Sequence, residues 1–372
     1  MRMFRYRLFI PIVIFMMSVA PGLCDDADIT FSDSISQTQD ETTSTENNTE
    51  NTLESFQEKI LRLEKEVQKL REESEARKIL EMTDEEKSEK EKDILSAAGR
   101  EYTLLKKGTL GLENNFKYSF HSTDSIIEWG LIEHRSNHSI ENEIFVEYAV
   151  LDNLTVNVTV PLVYKYDRNS SQTALEVNDI GDLSFGFQFQ PMKAGSSIPS
   201  AIVYGSLTVP SGRSPFKVIV DKDLSTGSGY YSLSTGLSIN KTIDPIVAFG
   251  NASVTYNHEV TKLNQRYQGR VLEKLEPGNS AGISMGVGYA MSYKVSIFVS
   301  YQYSYMFRTK YYWKGQAPDS FGSSVSSMLN IGTRWNLSPT QSINIQLGIG
   351  LTNASPDFIM SFRIPFEFEI FK

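Results

Sequence analysis

Apolar and polar residues alternate along most of the chain, in successive segments of about ten residues. A period of two is typical of β-strands that have one apolar and one polar face. In a clear case, Val156 and Val158 share one face, whereas Thr155 and Asn157 share the other. The pattern predicts about twelve antiparallel strands over residues 109–372.

The connections between these segments are alternately short and long. Short ones fall at Asp152–Asn153, Met192–Pro199, Lys241–Pro245, Ser292–Lys294 and Ser338–Gln341, and long polar ones at 123–139, 168–179, 211–228, 258–281 and 308–324. This alternation is expected when one rim of a barrel is periplasmic and the other extracellular. The predicted fold class is therefore an all-β membrane barrel in the bacterial outer membrane, with lipid against its apolar face.

Two further features favour a membrane barrel over a soluble sandwich. Small residues, mainly Gly, Ser and Asn, recur on the polar face and predict a polar lumen with room for water. Aromatic residues cluster near strand ends, as in the interfacial girdles of membrane barrels. These clusters are Tyr164 and Tyr166, Tyr230 and Tyr231, and Tyr303, Tyr305, Phe307, Tyr311, Tyr312 and Trp313.

A different periodicity occupies residues 53–73, where apolar residues recur at alternating spacings of three and four. This is the a and d pattern of a coiled coil. The predicted oligomerisation seam consists of Leu53, Phe56, Ile60, Leu63, Val67 and Leu70. The alternative is a single amphipathic helix on a globular core, but no core-forming sequence lies nearby. Because so short a seam is marginal alone, we expect a periplasmic coiled coil that joins chains already held side by side.

A short apolar segment lies between the charged stretch 81–93 and the first strand. It is too small to form a core, so it either packs on the barrel wall or enters the lumen. In the second case it is a candidate plug within a helical linker at 74–108. The candidate plug residues are Ile94, Leu95, Tyr102, Leu104 and Leu105.

The N-terminus has the features of a secretory signal peptide over residues 1–24, with basic residues before the apolar stretch Leu8–Ala20. We expect this segment to be removed together with Cys24, the single cysteine. The alternative is that Cys24 is lipidated. Residues 25–52 are acidic and polar, which predicts a disordered leader.

The charge and the motifs exclude several classes of function. The chain has 36 Lys and Arg against 45 Asp and Glu, which argues against a nucleic-acid partner. His134 and His138 have the i, i+4 spacing of metal ligands, but they lie in a predicted loop without a metalloprotease motif. No nucleophile, phosphate-binding or dinucleotide-binding motif is present. We therefore expect no enzyme activity, no metal site and no cofactor.

Charged residues on the polar face of the strands are predicted to point into the lumen. By strand parity they are Glu113, Lys117, Glu141, Glu143, Glu147, Lys165, Asp182, Arg334, Arg363 and Glu367. They either brace the interior as a network or form a charged constriction that sets selectivity or holds a plug. The sequence leaves both alternatives open.

Several spaced motifs between residues 108 and 368 resemble one family of outer-membrane channels. They include GTLGLENNFKYSF, NDIGDLSFGFQFQ, TVPSGRSP and LTNASPDFIMSFRIPFEF. The sequence resembles the phenol-degradation meta-pathway family, and one branch of that family is associated with transport of aromatic or other hydrophobic compounds. A second branch is similar to the exporter of functional-amyloid subunits, a trimer of barrels with a periplasmic coiled coil and a plug helix in each pore.

The resemblance to the second branch implies roles for the N-terminal region. The seam at 53–70 would hold a homotrimer, and the segment 94–105 would be the plug. The resemblance also implies that an aromatic residue matching Phe368 belongs to the signal read by the barrel assembly machinery. Here Glu369 to Lys372 follow it, so either Phe371 takes this role or the last strand is longer.

Three hypotheses on function follow. The first is protein secretion through a gated export channel, in which the coiled coil recruits an unfolded polypeptide and the plug controls the lumen. The second is an uptake channel for small aromatic or hydrophobic solutes. The third is a structural tether with a closed barrel, which joins the outer membrane to a periplasmic partner.

Overall fold

The computed structural model describes residues 62, 65, 67, 84–126, 132–169, 174–192, 198–219, 222–243, 245–267, 269–292, 294–338 and 341–370. Contacts divide the chain into two units, Met1–Lys78 and Ile79–Lys372. In the first unit Arg62, Lys65 and Val67 are helical, and Val67 is 54% exposed. The other seam residues lie outside the described residues, as do the predicted signal peptide and leader.

Within its described residues, the second unit contains a helix, a short 3-10 helix and a series of strands. The helix α1 spans Asp84–Ala98, and the 3-10 helix spans Arg100–Tyr102. None of the described helices has both the length and the hydropathy needed to cross a membrane. The strands are β1 (Thr109–Ile126), β2 (Ile132–Leu151), β3 (Leu154–Asn169), β4 (Ala174–Ile180), β5 (Leu183–Met192), β6 (Ser200–Val209), β7 (Ser232–Ile243), β8 (Ile246–Asn257), β9 (Val260–Tyr267), β10 (Arg270–Glu276), β11 (Ser280–Ala290), β12 (Val295–Met306), β13 (Thr309–Trp313), β14 (Asp319–Phe321), β15 (Ser324–Ser338), β16 (Gln341–Gly350) and β17 (Phe358–Glu369).

The described strands close into an antiparallel barrel with twelve strand positions. β4 and β5 occupy one position, because β3 pairs with both of them. The barrel closes at β1, where Leu112 lies opposite Val146 of β2 on one side and Phe366 of β17 on the other. A closed barrel has no unpaired edge, so its backbone donors and acceptors are satisfied between strands. The predicted fold of about twelve antiparallel strands is confirmed.

The two faces of the wall differ as the period of two requires. On β1, Leu112 and Phe116 lie on the outer face and are 37% and 40% exposed, whereas Glu113 and Asn115 are buried on the inner face. Other outward apolar residues are still more exposed, such as Ile283 at 53% on β11. A large exposed apolar surface of this kind marks a contact with lipid or protein.

Two of the predicted long connections are wrong, because the strands are longer than the apolar alternation indicated. The region 123–139 lies largely within β1 and β2, and the region 168–179 lies largely within β3 and β4. These strand ends carry polar residues on both faces, such as the run from Ser136 to Ser139. Strands that project beyond an apolar belt need no apolar face, so their sequence has no period of two.

Two more predicted connections form a second sheet. The region 258–281 contains β9 and β10, and the region 308–324 contains β13 and β14; together they make a sheet in the order β14-β13-β10-β9. The prediction that Tyr311 and Trp313 belong to an interfacial girdle is therefore wrong. They stack within the second sheet, with ring centroids 6.3 Å apart, and Trp313 is buried there.

Candidate channel lumen

The N-terminal part of the second unit lies inside the barrel. We call residues 84–105 the inner segment. Its helix α1 contacts β8, β11, β12 and β15, and its 3-10 helix contacts β6 and β7. These contacts are made with the inner face of the wall, so the inner segment occupies the lumen. The chain then leads directly into β1 at the rim that carries the short connections.

An apolar cluster anchors the inner segment. Four of the five candidate plug residues are at least 94% buried, and Leu104 is partly buried. The inward side chains Val247 and Phe249 of β8 and Phe298 of β12 complete the cluster. The Tyr102 and Phe249 rings lie 5.0 Å apart between centroids. The lumen predicted to be polar is therefore apolar at these positions, because an amphipathic helix needs an apolar partner.

One glycine of the wall allows the helix to approach closely. Gly288 of β11 points inward, and a Cβ atom at this position would collide with the Cγ2 methyl of Ile94. The missing side chain therefore leaves the space that Ile94 fills. The small residues of the polar face accommodate a packed helix here rather than water.

Polar bonds fix the helix to β15 and β17. The Arg334 guanidinium lies 3.2 Å from the Asp93 carboxylate and donates to the Ser96 hydroxyl at 2.7 Å. Arg363, which is buried, donates to the carbonyl of Ala97 at the end of the helix. A cation at a helix C-terminus satisfies an otherwise unpaired carbonyl and interacts favourably with the helix dipole.

A second set of polar bonds surrounds Arg100. Its guanidinium lies 2.6 Å from the Glu113 carboxylate and 3.6 Å from the Glu143 carboxylate. It also lies 4.2 Å from the centre of the Phe145 ring, a cation–π distance. Next to this group, Lys117 pairs with Glu141 at 2.7 Å across neighbouring strands. Glu113 and Glu143 therefore bind the inner segment, whereas Lys117 and Glu141 bind each other.

The remaining charges predicted for the lumen lie at different heights. Glu367 pairs with Lys92 of α1 at 3.4 Å, and both side chains are partly exposed. The side chain of Glu147 lies beside Gly111. A Cβ atom added to Gly111 would be 2.7 Å from Cγ of Glu147. Lys165 and Asp182 form no hydrogen bond or ion pair with the described residues of the inner segment. They bind the connection between β6 and β7 instead.

The connection at 210–231 is held by Asp182. The Asp182 carboxylate accepts hydrogen bonds from the Gly212 amide at 3.0 Å and from the amide and hydroxyl of Ser228, each at 2.6 Å. Lys165 donates to the Ser225 carbonyl at 2.9 Å. A Cβ atom at Gly227 would collide with Asp182, so this position requires a glycine. The connection is therefore folded against the wall at the rim opposite to that of the inner segment.

The partners on the inner segment were missed by the sequence reasoning. Lys92, Asp93 and Arg100 bind wall charges, although the sequence marks 81–93 only as a charged stretch. One signal was available. Charged residues lie on both sides of the run Ile94–Ala98, with Asp93 directly before it and Arg100 two positions after it, which suits a segment that meets opposite charges at two levels.

The inner segment does not fill the lumen. A cavity of about 470 Å³ remains beside it, lined by Ala98, Glu101 and Tyr102 and by inward residues of the wall. Most of the wall residues carry hydroxyl or amide groups, among them Asn251 and Gln302. The volume is in the range of pockets that hold small ligands.

No metal site is found in the described part of the chain, where no three His, Cys, Asp or Glu side chains could hold an ion. His138 instead lies in an aromatic group, with its Nδ1 atom 2.9 Å from the Tyr118 hydroxyl. Its ring is 5.0 Å from that of Phe120. The side chain of His134 lies outside the described residues.

Comparisons with known proteins agree with this architecture. A family described as "Putative MetA-pathway of phenol degradation" matches residues 134–368, more than half of the chain. The COG4313 outer membrane channel from Pseudomonas putida F1 is similar in structure, with a TM-score of 0.55 and 13% identity over 73% of this chain and 98% of that one. At this identity the likeness shows a shared fold.

Two other solved structures are similar at lower TM-scores. The transport unit of the autotransporter AIDA-I from Escherichia coli has a TM-score of 0.44 and 8% identity over 76% of this chain and 97% of that one. The CymD monoaromatic hydrocarbon channel has a TM-score of 0.37 and 10% identity over 71% of this chain and 88% of that one.

Proposed function

The chain belongs to the family described as "Putative MetA-pathway of phenol degradation", and from this premise we propose that it is an outer-membrane β-barrel channel closed by its own inner segment. The observation that carries this proposal is the position of α1, which packs inside the barrel and contacts β8, β11, β12 and β15. The shared fold with an outer-membrane channel and the apolar exterior support a place in the outer membrane. The rim with the short connections would face the periplasm.

The cargo we propose is a small solute taken up through the lumen. A cavity of about 470 Å³ lies next to the inner segment. A cavity of this size could hold a small solute while the channel is closed. The gate would open by displacement of α1, which the partly exposed pair of Lys92 and Glu367 also holds. Displacement would have to break the Arg334 and Arg363 bonds and expose the apolar cluster.

Export of an unfolded polypeptide is the second candidate. The observation in its favour is that the inner segment is continuous with the N-terminal region, where Arg62, Lys65 and Val67 are helical. We propose that residues 53–73 form a periplasmic coiled coil that trimerises the chain. A cargo that binds this region could then pull the inner segment out of the lumen.

Deletion of residues 84–105 tests the gate. In planar lipid bilayers, we expect the deletion to raise the mean conductance about tenfold, because the packed helix would no longer block the lumen. The control is a deletion of residues 25–52, which leaves the inner segment in place and should not change conductance. An unchanged conductance after removal of 84–105 would refute the gate and would favour a closed structural barrel.

The cargo is tested with the same variant. Liposome-swelling assays should show permeation of small solutes after deletion of 84–105 and little permeation with the full chain. If the deleted form conducts ions but stays impermeable to small solutes, uptake is wrong. Secretion of a polypeptide that depends on the full chain would then favour export.

A further inference from the structure

The lumen cavity has one charged residue in its lining. Glu101 of the 3-10 helix is the only acidic or basic residue among the described residues that line it. The other polar groups around it are neutral, for example Asn330 and Gln346 on β15 and β16. The cavity therefore combines a single carboxylate with uncharged hydrogen-bonding groups.

No described side chain pairs with this carboxylate. The two nearby guanidinium groups are engaged elsewhere, since Arg100 pairs with Glu113 and Glu143, and Arg363 donates to the Ala97 carbonyl. Neither guanidinium forms an ion pair with Glu101. Glu101 is half-buried. A carboxylate that is partly removed from water without a paired cation is costly, and a ligand that brings a positive charge would reduce this cost.

Gly99 leaves room for the carboxylate. A Cβ atom at Gly99 would lie 2.5 Å from Oε2 and 2.7 Å from Oε1 of Glu101, so the glycine leaves the space that the carboxylate occupies. The carboxylate therefore lies directly against the backbone of the inner segment.

Aromatic rings and fixed polar groups lie in the same cavity. Tyr102 and Phe249 pack against each other at 5.0 Å between centroids, and both line the cavity. The Tyr204 hydroxyl donates a hydrogen bond to Oδ1 of Asn251 at 3.1 Å, and the Tyr102 hydroxyl lies 3.2 Å from the Ser284 hydroxyl. Aromatic faces attract organic cations, and preorganised hydroxyl and amide groups orient a polar ligand at little entropic cost.

We propose that this cavity binds a small organic cation, with its ammonium group on Glu101 and an aromatic or hydroxylated body against Tyr102, Phe249 and Tyr204. The inference rests on the proposed channel function, because a solute would reach the cavity through the lumen. It names the class of solute that the closed channel holds. Anionic solutes would be repelled by Glu101, and uncharged ones would leave its charge unpaired.

Three probes of one shape test the proposal. Tyramine carries an ammonium group, para-ethylphenol has the same ring without the charge, and phloretate carries a carboxylate. With the full chain in detergent micelles, isothermal titration calorimetry should show tyramine binding about tenfold more tightly than para-ethylphenol, and phloretate most weakly. Equal affinity for tyramine and para-ethylphenol would overturn the proposal.

Two matched variants locate the site. Glu101→Gln should abolish the preference for tyramine while leaving the affinity for para-ethylphenol unchanged. Glu147→Gln removes another interior carboxylate that does not line the cavity, and it should leave the preference intact. Loss of the preference in Glu147→Gln but not in Glu101→Gln would place the cation elsewhere. Heat-modified migration in gels would check that each variant still forms a barrel.

The conductance experiment is independent of this one. If removal of 84–105 opens the channel but the full chain shows no preference for tyramine, the inference fails and the proposed function stands. If tyramine is preferred and Glu101→Gln abolishes the preference, while conductance is unaffected by the deletion, the site stands and the gate fails.

Discussion

Gly288 determines how closely the inner segment can approach the wall. In a strand that faced water, its missing side chain would weaken packing and lower β propensity. In this barrel it faces Ile94, which is 2% exposed. Because protein interiors are close-packed, a larger side chain at position 288 has no space unless α1 moves.

Gly288→Val should therefore displace α1 and increase leakage. Overpacking costs about 1–3 kcal/mol, which corresponds to roughly a tenfold rise in the open fraction of the channel. Single-channel recording measures this fraction directly. Gly282→Val is the control, because it adds the same bulk on the same face of β11, where an added Cβ would meet Ser253 Oγ at 3.2 Å. Equal open fractions in the two variants would contradict the packing argument.

At the scale of elements, the connection 210–231 depends on a carboxylate that belongs to the wall. Asp182 lies in the break between β4 and β5, where Gly181 donates its amide proton to the Pro161 carbonyl. The break points the Asp182 side chain at the amides of Gly212 and Ser228. Hydrogen bonds to an ionised group contribute about 1.5–3 kcal/mol each, so one residue can hold a whole connection.

Asp182→Ala should release this connection while the barrel stays closed. A loss of about 2 kcal/mol would reduce amide protection in residues 211–228 roughly thirtyfold, and hydrogen exchange followed by mass spectrometry would detect it. Asp179→Ala is the matched control, since Asp179 is exposed on the adjacent β4 and contacts the amide of Ile180. Unchanged hydrogen exchange in Asp182→Ala would show that the remaining contacts of the connection hold it without Asp182.

The second sheet has its own electrostatic group outside the barrel. Lys274 lies 2.7 Å from Glu259 and 3.0 Å from Glu276, and Tyr312 donates to Glu276 at 2.8 Å. Hydrogen bonds, first from Lys274 and then from Tyr312, lower the pKa of Glu276 from its ordinary 4.5 to about 2. The same carboxylates raise the pKa of Lys274.

The pairing of β10 with β13 should weaken in acid. A carboxylate with a lowered pKa stabilises the fold above pH 4.5, and this contribution is lost as the pH falls from 4.5 towards 2. The effect should be small because the group is exposed to water. Trp313 fluorescence would follow it, and Glu276→Gln should remove this step of the pH dependence. A step of the same size in that variant would mean that other groups cause it.

At the scale of the whole molecule, we propose that the barrels assemble as trimers through the seam at 53–70. Val67 is helical and 54% exposed in the single chain, as expected of a seam residue whose partners are other chains. Lys65 is also helical, at an outward position of the same heptads. These two residues provide a matched pair for a test.

Val67→Asp should dissociate the trimer, because a charge in the seam has no partner, whereas Lys65→Asp should leave it intact. Light scattering coupled to size-exclusion chromatography in detergent would give the mass of the protein. A trimer that survives Val67→Asp would show that the barrels associate without the seam. A monomer for the unaltered chain would refute the trimer itself.

Much of the barrel could be predicted from the sequence, whereas the contacts of its lumen could not. The alternation of Val156 and Val158 with Thr155 and Asn157 sets the outer and inner faces locally, and it predicted the strand number. Polar strand ends such as Ser136–Ser139 have no period of two. The sequence therefore did not predict the full strand lengths or the second sheet. Val247, Phe249 and Phe298 were missed as inward apolar residues, because their partner lies far away in the chain.

The sequence by itself determined an antiparallel barrel and the direction in which residues point wherever apolar and polar residues alternate. The reason is that a strand repeats every two residues, so local order fixes both faces. Only the tertiary structure decided that Lys92 meets Glu367, 275 positions away, and that Arg334 and Arg363 hold α1. Such pairs depend on where a helix comes to rest inside the closed wall. The tertiary structure also decided which carboxylates form ion pairs and that Glu101 lines the cavity.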